Sequence, residues 1–196
     1  MTDQTQPGFL DALRALWSAL DRHGRPAMII GGVAVIAHGV PRLTVDIDAT
    51  VAAAETDVDH LINALSRDGI QARIENAREF AEKNQILLAV HELSGTSIDL
   101  SLAWLPFEEE ALRASQPCDY AGVRIRIPRP EDLVVYKLVA CRPRDLDDAE
   151  GLMVLHGGAM NLVRIRALVG EFAALLEDDE RPKALDRLIA KTGISD

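Results

Sequence analysis

Three aspartates carry the chemistry this chain could perform. Asp46 and Asp48 stand two apart in Arg42-Leu43-Thr44-Val45-Asp46-Ile47-Asp48, and Asp99 follows in Ser97-Ile98-Asp99-Leu100. Apolar and polar residues alternate around each. Leu43, Val45, Ile47, Ala49 and Val51 oppose Arg42, Thr44, Asp46, Asp48 and Thr50; Ile98, Leu100 and Leu102 oppose Ser97, Asp99 and Ser101. Period two predicts half-buried strands over 43–51 and 97–103, with the acids on the polar faces. Residues two apart on a strand share a face with Cα atoms roughly 6.5 Å apart, so Asp46 and Asp48 can reach a common pair of ions. Asp99 joins them if its strand lies alongside. Mg²⁺ takes carboxylate oxygens, waters and substrate phosphates, so two or three aspartates suffice to hold it. Two such ions clamp the attacking and leaving oxygens of a phosphoryl displacement. One acid on a strand is an ordinary solvent-facing residue. Three together are not, because Asp is disfavoured in strands and packed like charges repel unless a cation offsets them. The expected chemistry is therefore nucleotidyl transfer with two Mg²⁺ ions, or Mn²⁺ in their place, bound by Asp46, Asp48 and Asp99. Asp99 would also help to activate the attacking hydroxyl.

A glycine pair, Gly31-Gly32, precedes the acids, between a short apolar strand (27–30) and a short helix (33–38). Without Cβ atoms the backbone can approach a phosphate, and a following helix offers free N–H groups to an anion. The pair lacks the lysine of a Walker A loop and the third glycine of a dinucleotide fingerprint. Its weight comes from lying just upstream of Asp46-Ile47-Asp48.

The remaining pattern supplies the scaffold. Leu10, Leu13, Leu16, Trp17 and Leu20 predict an amphipathic helix over 9–22, ended by His23-Gly24. A helix is expected over 56–67, strands over 70–75 and 86–92 with a polar helical turn between them, a hairpin turn at 94–96, and a strand at 123–127. From Pro130 the pattern is helical, over 130–141, 144–156, 161–176 and 180–191, with Pro143 separating the first two. The expected organisation is an α/β (α+β) core over 1–128, a small twisted mixed sheet flanked by helices, and a C-terminal helical region over 129–196.

Composition narrows the class. The chain has 196 residues, 48% apolar and 27% charged, which suits one good core plus a small helical addition. A net charge of −10 disfavours a broad nucleic-acid surface. Cys118 and Cys141 have no metal-ligand spacing and suit a reducing compartment. The polar N-terminus does not read as a secretory signal, and no apolar run approaches the ~18 residues of a membrane span. A soluble cytoplasmic protein is expected.

Together, Ile30-Gly31-Gly32, Asp46-Ile47-Asp48 and Ile98-Asp99-Leu100 resemble the motifs of the polymerase-beta-like nucleotidyltransferase superfamily. A second block is similar to the helical motif of its AbiEii-like and minimal nucleotidyltransferase groups: Glu131-Asp132-Leu133, Tyr136-Lys137-Leu138, Ala140 and Arg144-Asp145-Leu146-Asp147-Asp148-Ala149-Glu150. The lead-in Arg42-x-Thr44 also fits. The resemblance spans roughly residues 25–155 and implies the nucleotidyltransferase fold. It further implies transfer of a nucleoside monophosphate from a bound triphosphate such as ATP, with release of pyrophosphate. Acceptors in these groups are RNA ends, proteins or small molecules, and several members are toxins paired with an antitoxin protein. By the same resemblance Gly31, Gly32, Arg42, Thr44, Lys137 and Arg144 would contact the nucleotide, and Asp145 and Asp148 would orient Lys137 or Arg144. Arg144 stands where the groups often have Lys, a change of cation geometry.

Arg124, Arg126, Arg129, Lys137, Arg142 and Arg144 concentrate positive charge in an acidic chain, as a triphosphate requires. Arg124 and Arg126 share one strand face and also suit simple solvation. Arg164 and Arg166 are expected to face solvent, and Glu108-Glu109-Glu110 to be a solvated helix end or turn. The five histidines show no ligand spacing. Two other classes fit the pattern less well. A non-catalytic nucleotide-binding or antitoxin-like module on the same fold has little need for three clustered acids. A glycosyltransferase using Asp-x-Asp does not account for the glycine pair or Asp99.

Overall fold

In the computed structural model, which describes residues 8–53 and 57–194, the two alternating segments become neighbouring strands. β2 (Asp46–Ala52) and β5 (Ser97–Ala103) run parallel inside a five-stranded mixed sheet. β1 (Ala27–Ile29) pairs antiparallel with β2, β4 (Ile86–His91) with β5, and β3 (Ile70–Ala72) with β4, giving the order β1-β2-β5-β4-β3. Ile47, Ala49, Leu87, Ala89, Ile98 and Leu100 are buried, as their alternation requires. α1 (Phe9–His23) packs on α3 (Val58–Ser66) through Leu13, Leu16 and Leu20, fully buried at helical spacing, while α4 (Ala77–Asn84) lies on β4 and α5 (Pro106–Ala114) on β2.

Two compact units emerge. One runs up to Ala34 and resumes over Arg42–Pro128; the other comprises Val35–Pro41 and the chain from Arg129 onward. The division passes through α2 (Gly31–Ala37). The first unit holds the sheet and a β6–β7 hairpin (Gln116–Tyr120 and Val123–Ile127). The second holds α6 (Pro130–Ala140), α7 (Pro143–His156), α8 (Leu162–Leu176) and α9 (Glu180–Thr192). In it, Asp132 is fully buried and accepts from Arg129 and Arg164, each at 2.7 Å, tying α6 to α8. Among the described residues no helix is long and apolar enough to cross a membrane.

The structure corrects several local expectations. β2 begins at Asp46, not at residue 43, and Leu43 and Val45 are 65% and 61% exposed. Among the described residues β1 pairs only with residues 49–51 and β5 starts opposite Asp46, so no described strand pairs with 42–45. Thr50, expected on the polar face, is fully buried. α5 and β6 are additional elements. β6 contains Pro117 and Asp119 and lacks an apolar alternation; it forms by pairing with β7 around Ala121-Gly122, both at positive φ. Glu108 is a cap, accepting from the N–H groups of Trp104 and Leu105 at 3.2 Å each. Arg164 is held by Asp132 and does not simply face solvent. Residue 56, where the α3 helix was expected to begin, and the N-terminal residues 1–7 lie outside the described residues.

The seam between α1 and α3 sets a pH dependence. His23, 8% exposed, meets His60 with their Nδ1 atoms 3.1 Å apart, so one ring donates and the other accepts. Burial first, then the charges of His60 and Arg25, push the His23 imidazole below its ordinary 6.5, with Asp57 opposing. The unfolded chain therefore binds more protons than the folded one just below that value, and stability is lost as the pH falls through this window. Urea midpoints are expected to drop between about pH 7.5 and about pH 5.5, and His23→Phe to flatten that part of the profile. An unchanged slope in the variant would place the dependence elsewhere.

Candidate active site

The site begins where β1 ends. The N–H of Ile30 donates to the carbonyl of Asp48 at 2.9 Å, which turns the chain over β2. Gly31 then opens α2 with φ +59°, a left-handed conformation that favours glycine. A Cβ on Gly31 would collide with the carboxylate of Asp48, and one on Gly32 would stand 2.5 Å from Thr44 Oγ1. The pair thus lies in the first turn of the helix, and the space it leaves is filled by side chains of the acidic segment. Gly31→Ala is expected to cost about 1–3 kcal/mol for the positive φ alone. It also displaces Asp48, so a transfer assay should lose more than the urea midpoint accounts for.

The strand register assembles the acids. Asp48 stands opposite Asp99 and Asp46 opposite Ser97 across β2 and β5, at a strand spacing of about 4.8 Å. Thr44 Oγ1 donates to Asp46 Oδ1 at 3.0 Å. Arg42 Nε donates to the carbonyl of Leu43 at 3.4 Å, and its guanidinium lies beside Gly32. Gly31, Gly32, Arg42, Thr44, Asp46, Asp48 and Asp99 therefore gather in the first unit. One further residue belongs with them. Arg73, just past β3, forms an ion pair with Asp99 and donates to Ser97 Oγ at 3.4 Å. Its only trace in the sequence is its place beyond a short apolar strand, which does not reveal a partner two strands away.

Among the described residues no three His, Cys, Asp or Glu side chains form a ready metal cage. That is compatible with Mg²⁺, which usually binds through one or two carboxylates and completes its shell with water and substrate phosphates. The donor set is hard oxygen throughout, and Asp46 with Asp48 would hold such an ion. The third acid, Asp99, faces an arginine.

The second predicted group lies in the second unit. Lys137 of α6 is buried, with Nζ 3.0 Å from Asp145 Oδ1 and 2.8 Å from Asp148 Oδ2, both on α7. The two aspartates do hold the lysine. Its single charge is matched by two carboxylates, which leaves Lys137 little to offer a triphosphate. Within the wider basic cluster, Arg126 donates to the carbonyl and hydroxyl of Ser115, and Arg129 to Asp132. An open cavity of about 600 Å³ in the second unit is walled by Val40, Pro41, Val154 and Leu155. None of the predicted site residues lines it, so its size assigns it no role.

The mixed sheet thus brings Asp-x-Asp beside a third Asp, under a glycine-opened helix. Residues 10–188 match the family described as nucleotidyltransferase of unknown function (DUF6036), and the chain belongs to it. No curated protein matches the chain in sequence. Among solved structures, the fold is similar to that of the antibiotic-resistance factor ANT(2'')-Ia in solution, with TM-score 0.62 and 17% identity over 88% of this chain and 95% of that one. The crystal structure of ANT(2'')-Ia in complex with adenylyl-2''-tobramycin gives 0.59 and 19% over 88% and 99%. The lincomycin-bound lincosamide antibiotic adenylyltransferase LnuA gives 0.54 and 13% over 79% and 99%. At these identities the likeness is one of fold.

Proposed function

We propose that this chain is a Mg²⁺-dependent nucleotidyltransferase that moves a nucleoside monophosphate from a triphosphate to an acceptor hydroxyl, releasing pyrophosphate. The register that sets Asp48 opposite Asp99, with Asp46 on the same face, carries the reading. Asp46, Asp48 and Asp99 would hold the divalent cations, which when bound neutralise the triphosphate and stabilise charge on the transferring phosphoryl group. Asp99 accepts the proton of the acceptor hydroxyl. Gly32, Arg42 and Thr44 border the triphosphate. ATP is the favoured donor and a small molecule the favoured acceptor. Two neighbours of the fold carry adenylyl transfer and an antibiotic in their names, and a net charge of −10 opposes a polyanionic acceptor. The block 131–150, through its likeness to the AbiEii-like group, supports a second reading in which the acceptor is an RNA end or protein and the enzyme is a toxin held by an antitoxin. Either chemistry belongs in the cytoplasm, where triphosphates are available.

The test is transfer from α-labelled triphosphates into lysate with Mg²⁺, comparing wild type with Asp46→Ala/Asp48→Ala and sorting label into RNA, protein and small molecules. Label that depends on the aspartates supports the reading and identifies the acceptor. Binding of Mg²⁺-triphosphate without label from any acceptor pool favours the non-catalytic module.

A further inference from the structure

The three carboxylates are shared among three different neighbours. Asp48 lies against Gly31, Asp46 accepts from Thr44, and Asp99 pairs with Arg73. Arg73 is anchored by its own backbone, its N–H donating to the carbonyl of Leu88 at 2.9 Å, and Leu88 is the register partner of Asp99. Its guanidinium reaches both Asp99 and Ser97, the two β5 residues that stand opposite Asp48 and Asp46. A cation supplied by the protein therefore lies along the β5 side of the acidic pair. It is only partly exposed, at 32%, and its partner at 41%. Two carboxylates on neighbouring strands repel, and this arginine offsets that repulsion in the free protein.

A guanidinium and a divalent cation compete for the same acceptor. We infer that Arg73 is a positioning residue that stands in for a cation at Asp99. Asp99 then becomes a ligand of a divalent ion only when Arg73 lets it go. This delays ligation by Asp99 and keeps its carboxylate oriented until the substrate complex forms. The inference rests on the proposed reading of the three acids as metal ligands.

Mn²⁺ titration of the nucleotide-free protein, followed by loss of the free-ion paramagnetic signal, tests it without any turnover. Arg73→Gln is expected to tighten Mn²⁺ binding about tenfold or to add a second ion, the size of an ordinary coupling between two ligands. That gain should vanish in Arg73→Gln/Asp99→Asn. Arg73→Lys, which keeps a cation but loses the fork, should fall between, and it serves as the readout if the glutamine variant fails to fold. Identical titrations for wild type, Arg73→Gln and Arg73→Lys overturn the inference, as does a gain that survives removal of Asp99. The underlying reading fails separately, if Asp48→Asn leaves wild-type Mn²⁺ binding unchanged.

Discussion

Asp48→Asn is expected to lower nucleotidyl transfer by about three orders of magnitude, roughly 4 kcal/mol of transition-state stabilisation, while leaving the protein as stable as before. The substitution keeps the shape of the side chain against Gly31 and removes one negative charge from the centre of the acidic group. Losing a charge that repels Asp99 and Asp46 relieves like-charge repulsion between the two strands. Losing a hard oxygen ligand, with an amide put toward the cation, removes the means of neutralising the triphosphate. Activity and stability therefore part company, as they do when a residue serves chemistry and not packing. Steady-state transfer rates and urea midpoints on the same preparation measure both. Activity within about tenfold of wild type would remove Asp48 from the metal site.

Lys137→Met should do the opposite, destabilising the protein by about 3–5 kcal/mol. The methionine replaces the aliphatic stem of a side chain only 9% exposed, but it strands two carboxylates that the ammonium now joins, Asp145 and Asp148. Of these, Asp148 is 5% exposed and has little access to compensating water. The triple variant Lys137→Met/Asp145→Asn/Asp148→Asn should recover much of the loss, because it removes together the charges that the ammonium compensates. Urea unfolding followed by circular dichroism reads both steps. A single variant within about 1 kcal/mol of wild type would show that the aspartates find other partners.

Much of the frame was legible because it depends on periodicity. Alternation around Asp46, Asp48 and Asp99 located two strands and their buried faces, and the helical spacing of Leu13, Leu16 and Leu20 located α1. The strand neighbours were less accessible. Nothing local dictates that β5 lies parallel to β2, which is what sets Asp99 opposite Asp48. Leu43 and Val45 continue the alternation of β2 but have no partner among the described strands, so they are exposed. β6 exists only through its pairing with β7. The ion pair of Arg73 depends on the width of the sheet, since β4 separates β3 from β5. The glycine pair was legible as a special turn, but its cause was not. Its missing side chains make room for Asp48 and Thr44, a requirement visible only when β1, α2 and β2 are seen together.

The parallel pairing of β2 with β5 also bears on when the protein can first act during its synthesis. Between these two strands the chain must complete α3, β3, α4 and β4. A nascent polypeptide that has exposed Asp46 and Asp48 to the cell still lacks the strand that faces them. Ribosome-bound or prematurely released fragments ending before β5 therefore hold a glycine turn and two acids without the third. Closing this non-local pair is a slow kind of step, because the intervening segment must be ordered before the contact rewards it. On the proposed reading of the three acids, competence for chemistry then appears together with the finished sheet.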